Sequence, residues 1–81
     1  MEKNVIGIVG IKVEQFRSVD EMNAVLHNYG EDILCRQGIP LNEREVSVLS
    51  IIIDAPKPVI EKMADEIAHL DGVTVEKIFF E

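Results

Sequence analysis

Three side chains in this sequence are of types that can bind transition metals strongly, His27, Cys35 and His69, and they stand far apart. No two fall at the short spacings of a local metal motif, so only the fold could assemble a site from them. The helical stripes described below place each histidine in the last turn of a helix. Two helices packed antiparallel on a sheet carry those turns at opposite ends, so His27 and His69 cannot share an ion within one chain. A histidine there is favoured by the helix dipole without any ligand. Cys35 reads as a strand thiol or, in a site built between neighbouring chains, as the leading ligand with His27 beside it. No cofactor is expected within a single chain. Two arginines stand out as well. Arg17 lies in the connector Glu14-Gln15-Phe16-Arg17, and Arg36 stands just before Gly38 and Pro40, where a glycine suggests a close approach by another group.

The connector invites comparison with acylphosphatase, an enzyme of similar size whose loop after the first strand cradles phosphate and supplies an arginine. Arg17 sits in the corresponding position. The glycines that would let such a loop's amides converge are missing, and Ile33–Gln37 contains no asparagine. No Ser/His/Asp arrangement has motif context either. The chain is therefore expected not to be an enzyme, with acyl-phosphate hydrolysis as a remote alternative.

Whatever these residues do, 81 residues make one small domain, 1–81, which buries only about 60% of its unfolded surface. With 15 Asp and Glu against 8 Lys and Arg, the formal net charge is -7. No basic cluster is present to neutralise phosphates, which argues against direct nucleic-acid binding. A single cysteine excludes an internal disulfide and suits a reducing, cytoplasmic setting. The longest apolar run, Val5–Ile11, is far short of a membrane span.

The elements that must position these residues are legible from periodicity. Val5–Val13 is β-branched and reads as a central strand with both faces covered. Ser18 followed by Glu21 fits a capping box, and Val19, Met22, Val25, Leu26 and Tyr29 recur at helical spacing until Gly30, a natural stop. Ile33–Gln37 suits a short edge strand, broken by Gly38-Ile39-Pro40 and followed by a polar turn, Leu41–Arg44. Val46–Ile53 is a second doubly apolar strand, ended by Asp54–Pro58, with Pro58 in the first turn of a helix. Ile60, Met63, Ala64, Ile67 and Leu70 form that helix's buried stripe. Asp71-Gly72 ends it, and Val73–Phe80 returns as a strand. The outer carboxylates Glu61, Asp65 and Glu66 read as a solvated helix face.

The order β-α-β-β-α-β predicts an α+β fold of the ferredoxin-like type, a four-stranded antiparallel sheet with two helices on one face. Two helices cover one face only. On the first strand the alternating sets are Val5, Gly7, Val9, Ile11, Val13 and Ile6, Ile8, Gly10; both are apolar. Whichever set faces outward leaves aliphatic side chains bare, and a patch of that size calls for a partner. The simplest partner is another copy of the chain, in a homodimer or homotetramer built through the open sheet face or the edge strands.

The stretch Leu26-His27-Asn28-Tyr29-Gly30-Glu31-Asp32-Ile33-Leu34-Cys35-Arg36-Gln37-Gly38-Ile39-Pro40, with the closing segment Leu70-Asp71-Gly72-Val73-Thr74-Val75, resembles the iron-only hydrogenase system regulators. Ile33, Arg36, Gly38 and Pro40 match an Ile-x-x-Arg-x-Gly-x-Pro pattern of that family. Cys35 falls where the family commonly has a small residue. The resemblance implies an ACT-like regulatory domain, similar to the C-terminal sensing domain of nickel-responsive repressors and to the ACT domains that bind small effectors at subunit interfaces. The nickel ligand set of those repressors is absent, and so is the Asp-x-Pro-Gly loop of many ACT domains. The implied site for a small effector is the loop Glu14–Ser18 or the segment Arg36–Pro40, with Arg17, Arg36, Gly38 and Pro40 as binding residues. With its acidic charge, the chain would act on gene expression only through a partner.

Overall fold

The computed structural model describes residues 3–14 and 16–81. Its elements run β1 (Asn4–Val13), α1 (Ser18–Asn28), β2 (Ile33–Leu41), a 3-10 turn (Asn42–Arg44), β3 (Val46–Pro56), α2 (Lys57–Ala68) and β4 (Val73–Phe80). The sheet order is β2-β3-β1-β4 with every neighbouring pair antiparallel, which is the ferredoxin-like arrangement. The two β-branched runs are the central pair, as their sequences require.

One alternating set of each central strand faces the helices. Val9, Ile11 and Val13 from β1 join Leu49, Ile51, Ile53 and Ala55 from β3 in the buried core. Met22 and Leu26 of α1, and Ile60, Met63, Ala64 and Ile67 of α2, close it from above. These side chains sit at three- and four-residue spacing because that spacing keeps them on one helical face.

The opposite set is uncovered, so the expectation that β1 is sheathed on both sides holds for one side only. Cross-strand register lines up Cys35, Ile52, Ile8 and Ile78 in one row across all four strands. The next row is Gln37, Ser50, Gly10 and Glu76, followed by Ile39, Val48, Lys12 and Thr74. Ile6 and Phe80 extend the patch at the far end. Ile6, Ile39, Val48, Ile78 and Phe80 are all exposed, Ile39, Ile78 and Phe80 by more than half.

Three local expectations need correction. Ser18 does not cap α1: Arg17 is the cap residue, with no side-chain cap bond, and Ser18 Oγ donates to the Asp71 carbonyl at 2.7 Å. Gly30 does stand just past the α1 cap residue Tyr29, as a stop should, with its amide bonded to the His27 carbonyl. β3 runs on through Asp54 to Pro56, beyond the expected end at Ile53, because Asn4, Val5 and Ile6 of β1 continue to pair with it. The third correction bears on function. Gly38 and Pro40 do not break β2, which continues as a nine-residue strand to Leu41. An edge strand tolerates proline because the missing amide can face away from its only neighbour. The irregularity lies at the other end, a shift in register between Ile33 and Cys35.

Ser18 also ties two distant connections together. Its residue is 2% exposed, and the neighbouring Glu14 amide bonds the Gly72 carbonyl at 2.7 Å. Ser18→Ala deletes the side-chain bond to the Asp71 carbonyl in a partly buried corner, at a cost of about 1–2 kcal/mol. For a domain this small the expected fall in melting temperature is roughly 4–8 °C per kcal/mol, readable by circular dichroism.

Candidate functional site

Continuing β2 through Gly38 and Pro40 turns three candidate residues into neighbours. Arg36, Gly38 and Pro40 are two apart, so they share one face of the strand. Their partners across the ladder are Ile51, Leu49 and Ser47, which places that face toward the helices. There they border a cavity of about 340 Å³ between β2, β3 and the start of α1. Leu49 and Ser47 rise from β3, while Val19 and Met22 descend from α1.

The cavity has apolar walls and few polar groups. Arg36 donates through Nη2 to the Asn23 side-chain oxygen on α1, which fixes the guanidinium beside the opening and leaves its other donors unassigned. Gly38 sits close over the floor: a Cβ at that position would lie 3.3 Å from Leu49 Cγ. Ser47 contributes a hydroxyl. None of the lining residues is a thiol, an imidazole or a carboxylate. The arrangement can bind and orient a small molecule; it holds no paired nucleophile and base.

The remaining candidates lie elsewhere. Arg17 pairs with Asp71 at 3.1 Å, both side chains about three-quarters exposed, and does not line the cavity. Of its loop, Gln15 lies outside the described residues; Glu14 and Phe16 line a separate depression with Arg44 and Glu45. Cys35 is exposed on the open sheet face, directly across from Ile52. His27 is exposed on α1, which packs on the other face. Among the described residues, no group of three His, Cys, Asp or Glu side chains is placed to hold a metal ion. His69 is held locally, its Nδ1 2.7 Å from the Asp65 carbonyl.

Asn23, Ser47 and the Val19–Met22 ridge were not identified from sequence as part of a site. A signal existed for two of them: Val19 and Met22 belong to the apolar stripe of α1, at the end that overhangs β2. Asn23 gave none, since a polar residue on a helix flank looks solvated until its partner is placed.

Glu66 is not merely solvated, because it accepts a hydrogen bond from the Tyr29 hydroxyl. Desolvation first, then that bond and the negative charge, push the Tyr29 phenol from its ordinary 10.0 up to about 12. The folded chain thus holds the phenolic proton more tightly than the unfolded chain. The stabilisation is complete below pH 10 and drains away as the pH rises from 10 to 12. Denaturant titrations across that window should show a fall in stability that Tyr29→Phe lessens.

Comparison with known proteins agrees with this architecture. The protein TM1266 of Thermotoga maritima, titled an uncharacterized protein, superposes with a TM-score of 0.92 at 24% identity, over 98% of this chain and 100% of that one. An unknown protein from Galdieria sulphuraria superposes at 0.72 with 7% identity, over 98% of this chain but 46% of that one. At these identities both show the fold alone. No curated protein matches. Among the described residues no helix is long and apolar enough to cross a membrane. A family model described as "TM1266-like: Iron-only hydrogenase system regulator, putative" matches residues 5–77. With nearly its whole length matched, this chain belongs to the TM1266-like family of iron-only hydrogenase system regulators.

Proposed function

We propose that the chain is a non-enzymatic regulatory domain of an iron-only hydrogenase system, working as a homo-oligomer that binds a small effector at the Arg36–Pro40 cavity. The observation that carries this reading is the open sheet face. Its apolar rows, Ile52-Ile8-Ile78 and Ile39-Val48, lie opposite the helices with nothing over them. Patches of that kind on soluble domains mark contact surfaces, and a second copy supplies a matching patch by symmetry.

β2 supports the effector half of the reading. Its residues Arg36, Gly38 and Pro40 border the cavity, Cys35 and Gln37 belong to the open face, and Ile39, in register with Val48 on the open face, also lines the cavity at the sheet edge. One strand therefore has the effector on one side and the neighbouring chain on the other. Displacing β2 by a fraction of its width changes both contacts, so an effector favours whichever quaternary arrangement fits the loaded strand. The family's description as a regulator accords with binding rather than turnover.

The test is the mass in solution. Light scattering at micromolar concentration should give a dimer or tetramer of the 9.1 kDa chain. A monomeric mass sinks the oligomer.

A further inference from the structure

From the lining of the Arg36 cavity we infer the chemical class of its ligand: a small carboxylate with a short branched aliphatic tail and no amino group. The inference rests on the reading of this cavity as the effector site and adds what it selects.

The argument begins with charge. Acidic residues outnumber basic ones 15 to 8 in this chain. Four other surface cavities each include at least one carboxylate: Glu61, Glu66, Glu14 and Glu43 are examples, one from each. The Arg36 cavity has none. Arg36 itself forms no ion pair with a carboxylate among the described residues; its partner is the neutral Asn23 oxygen. An arginine oriented by an amide and left without a counter-ion presents its remaining donors to an incoming anion. Guanidinium and carboxylate geometries match in pairs of parallel hydrogen bonds.

Size and polarity define the rest of the molecule. About 340 Å³ is at the small end of ligand cavities. Val19, Met22 and Leu49 offer branched and flexible apolar walls for a tail of a few carbons. A phosphate would leave those walls unfilled. An α-ammonium group would find no carboxylate to meet it, so a zwitterionic amino acid loses on desolvation what its carboxylate gains. The lining thus discriminates against the amino acid that shares the same tail.

The experiment compares isocaproate with isocaproamide, leucine and inorganic phosphate by amide chemical-shift titration of the full chain. Isocaproate should bind saturably, with shifts centred on Val19, Met22, Gly38 and Leu49. Removing the ligand's charge (isocaproamide) or the protein's (Arg36→Gln) should each weaken binding about ten- to a hundredfold, the worth of a charge-assisted bond. Leucine and phosphate should bind at least about tenfold more weakly than isocaproate. Gly38→Val fills space above Leu49 while keeping the cation, and it should weaken isocaproate too. Unchanged spectra away from the cavity establish that each variant is folded.

Equal affinity for acid and amide, unaltered binding by Arg36→Gln, or no saturation by about 10 mM isocaproate overturns the inference. Light scattering on the same samples separates it from the regulatory reading. Isocaproate binding at constant mass upholds the inference and removes effector control of assembly. A change of mass with another compound while isocaproate is inert does the reverse.

Discussion

Ile52→Lys should convert the proposed homo-oligomer to a folded 9.1 kDa monomer. Ile52 occupies the middle of the open face, beside Ile8 on β1 and Cys35 on β2. In a contact between two such faces the substitution buries a new charge on each side. Taking an unpaired ammonium out of water costs several kcal/mol, so the dissociation constant should rise by at least about a hundredfold. Within one chain the change is mild, because Ile52 is only partly buried and loses cross-strand contacts, about 0.5–1 kcal/mol. Light scattering gives the mass and circular dichroism shows that the fold persists. A variant that retains the wild-type mass above that of one chain places the interface elsewhere.

The adjacent residue should behave in the opposite way. Ile51 is fully buried on the helix-facing side of the same strand, within the core that also holds Ile11, Met63 and Ile67. Ile51→Ala leaves a cavity that two thin layers cannot collapse around, at a cost of about 3–4 kcal/mol. An 81-residue domain has roughly 4–12 kcal/mol in total. The melting temperature should fall by roughly 12 °C or more, at unchanged protein concentration, by thermal denaturation followed at a far-ultraviolet wavelength. A shift of less than about 4 °C would mean that the helices are not seated on β3 as described.

This pair shows why the fold was legible. Val46–Ile53 carries apolar residues on both alternating faces, so sequence alone identified a central strand but could not say which set the helices take. The register decides it, since Ile51 and Ile53 pair with Val9 and Gly7 beneath the helices. The stripes of α1 and α2 were equally clear, being set by helical period. What escaped was β2. Gly38 and Pro40 are strand breakers in a covered strand, and only the position of β2 at the sheet edge removes the penalty. The candidate site was legible only in part. The segment Arg36–Pro40 stands out in the sequence beside the loop Glu14–Ser18, yet the common face of Arg36, Gly38 and Pro40 follows from period-two geometry in a segment read as irregular. Ser18 differs for another reason: its hydroxyl suits a cap, but it donates to the Asp71 carbonyl instead, and a contact across 53 positions leaves no trace in a local window.

The sheet order has a consequence during synthesis. β1 contains the longest apolar run of the chain, and its partners β3 and β4 end at Pro56 and Phe80. Translation at about 5–20 residues per second separates the appearance of Val13 from that of Pro56 by roughly 2–9 seconds. Throughout that interval Val5–Ile11 is a β-branched ribbon without a strand to pair with, the most adhesive segment of the nascent chain. The order that makes β1 central in the finished domain also makes it the piece most in need of shelter at the ribosome.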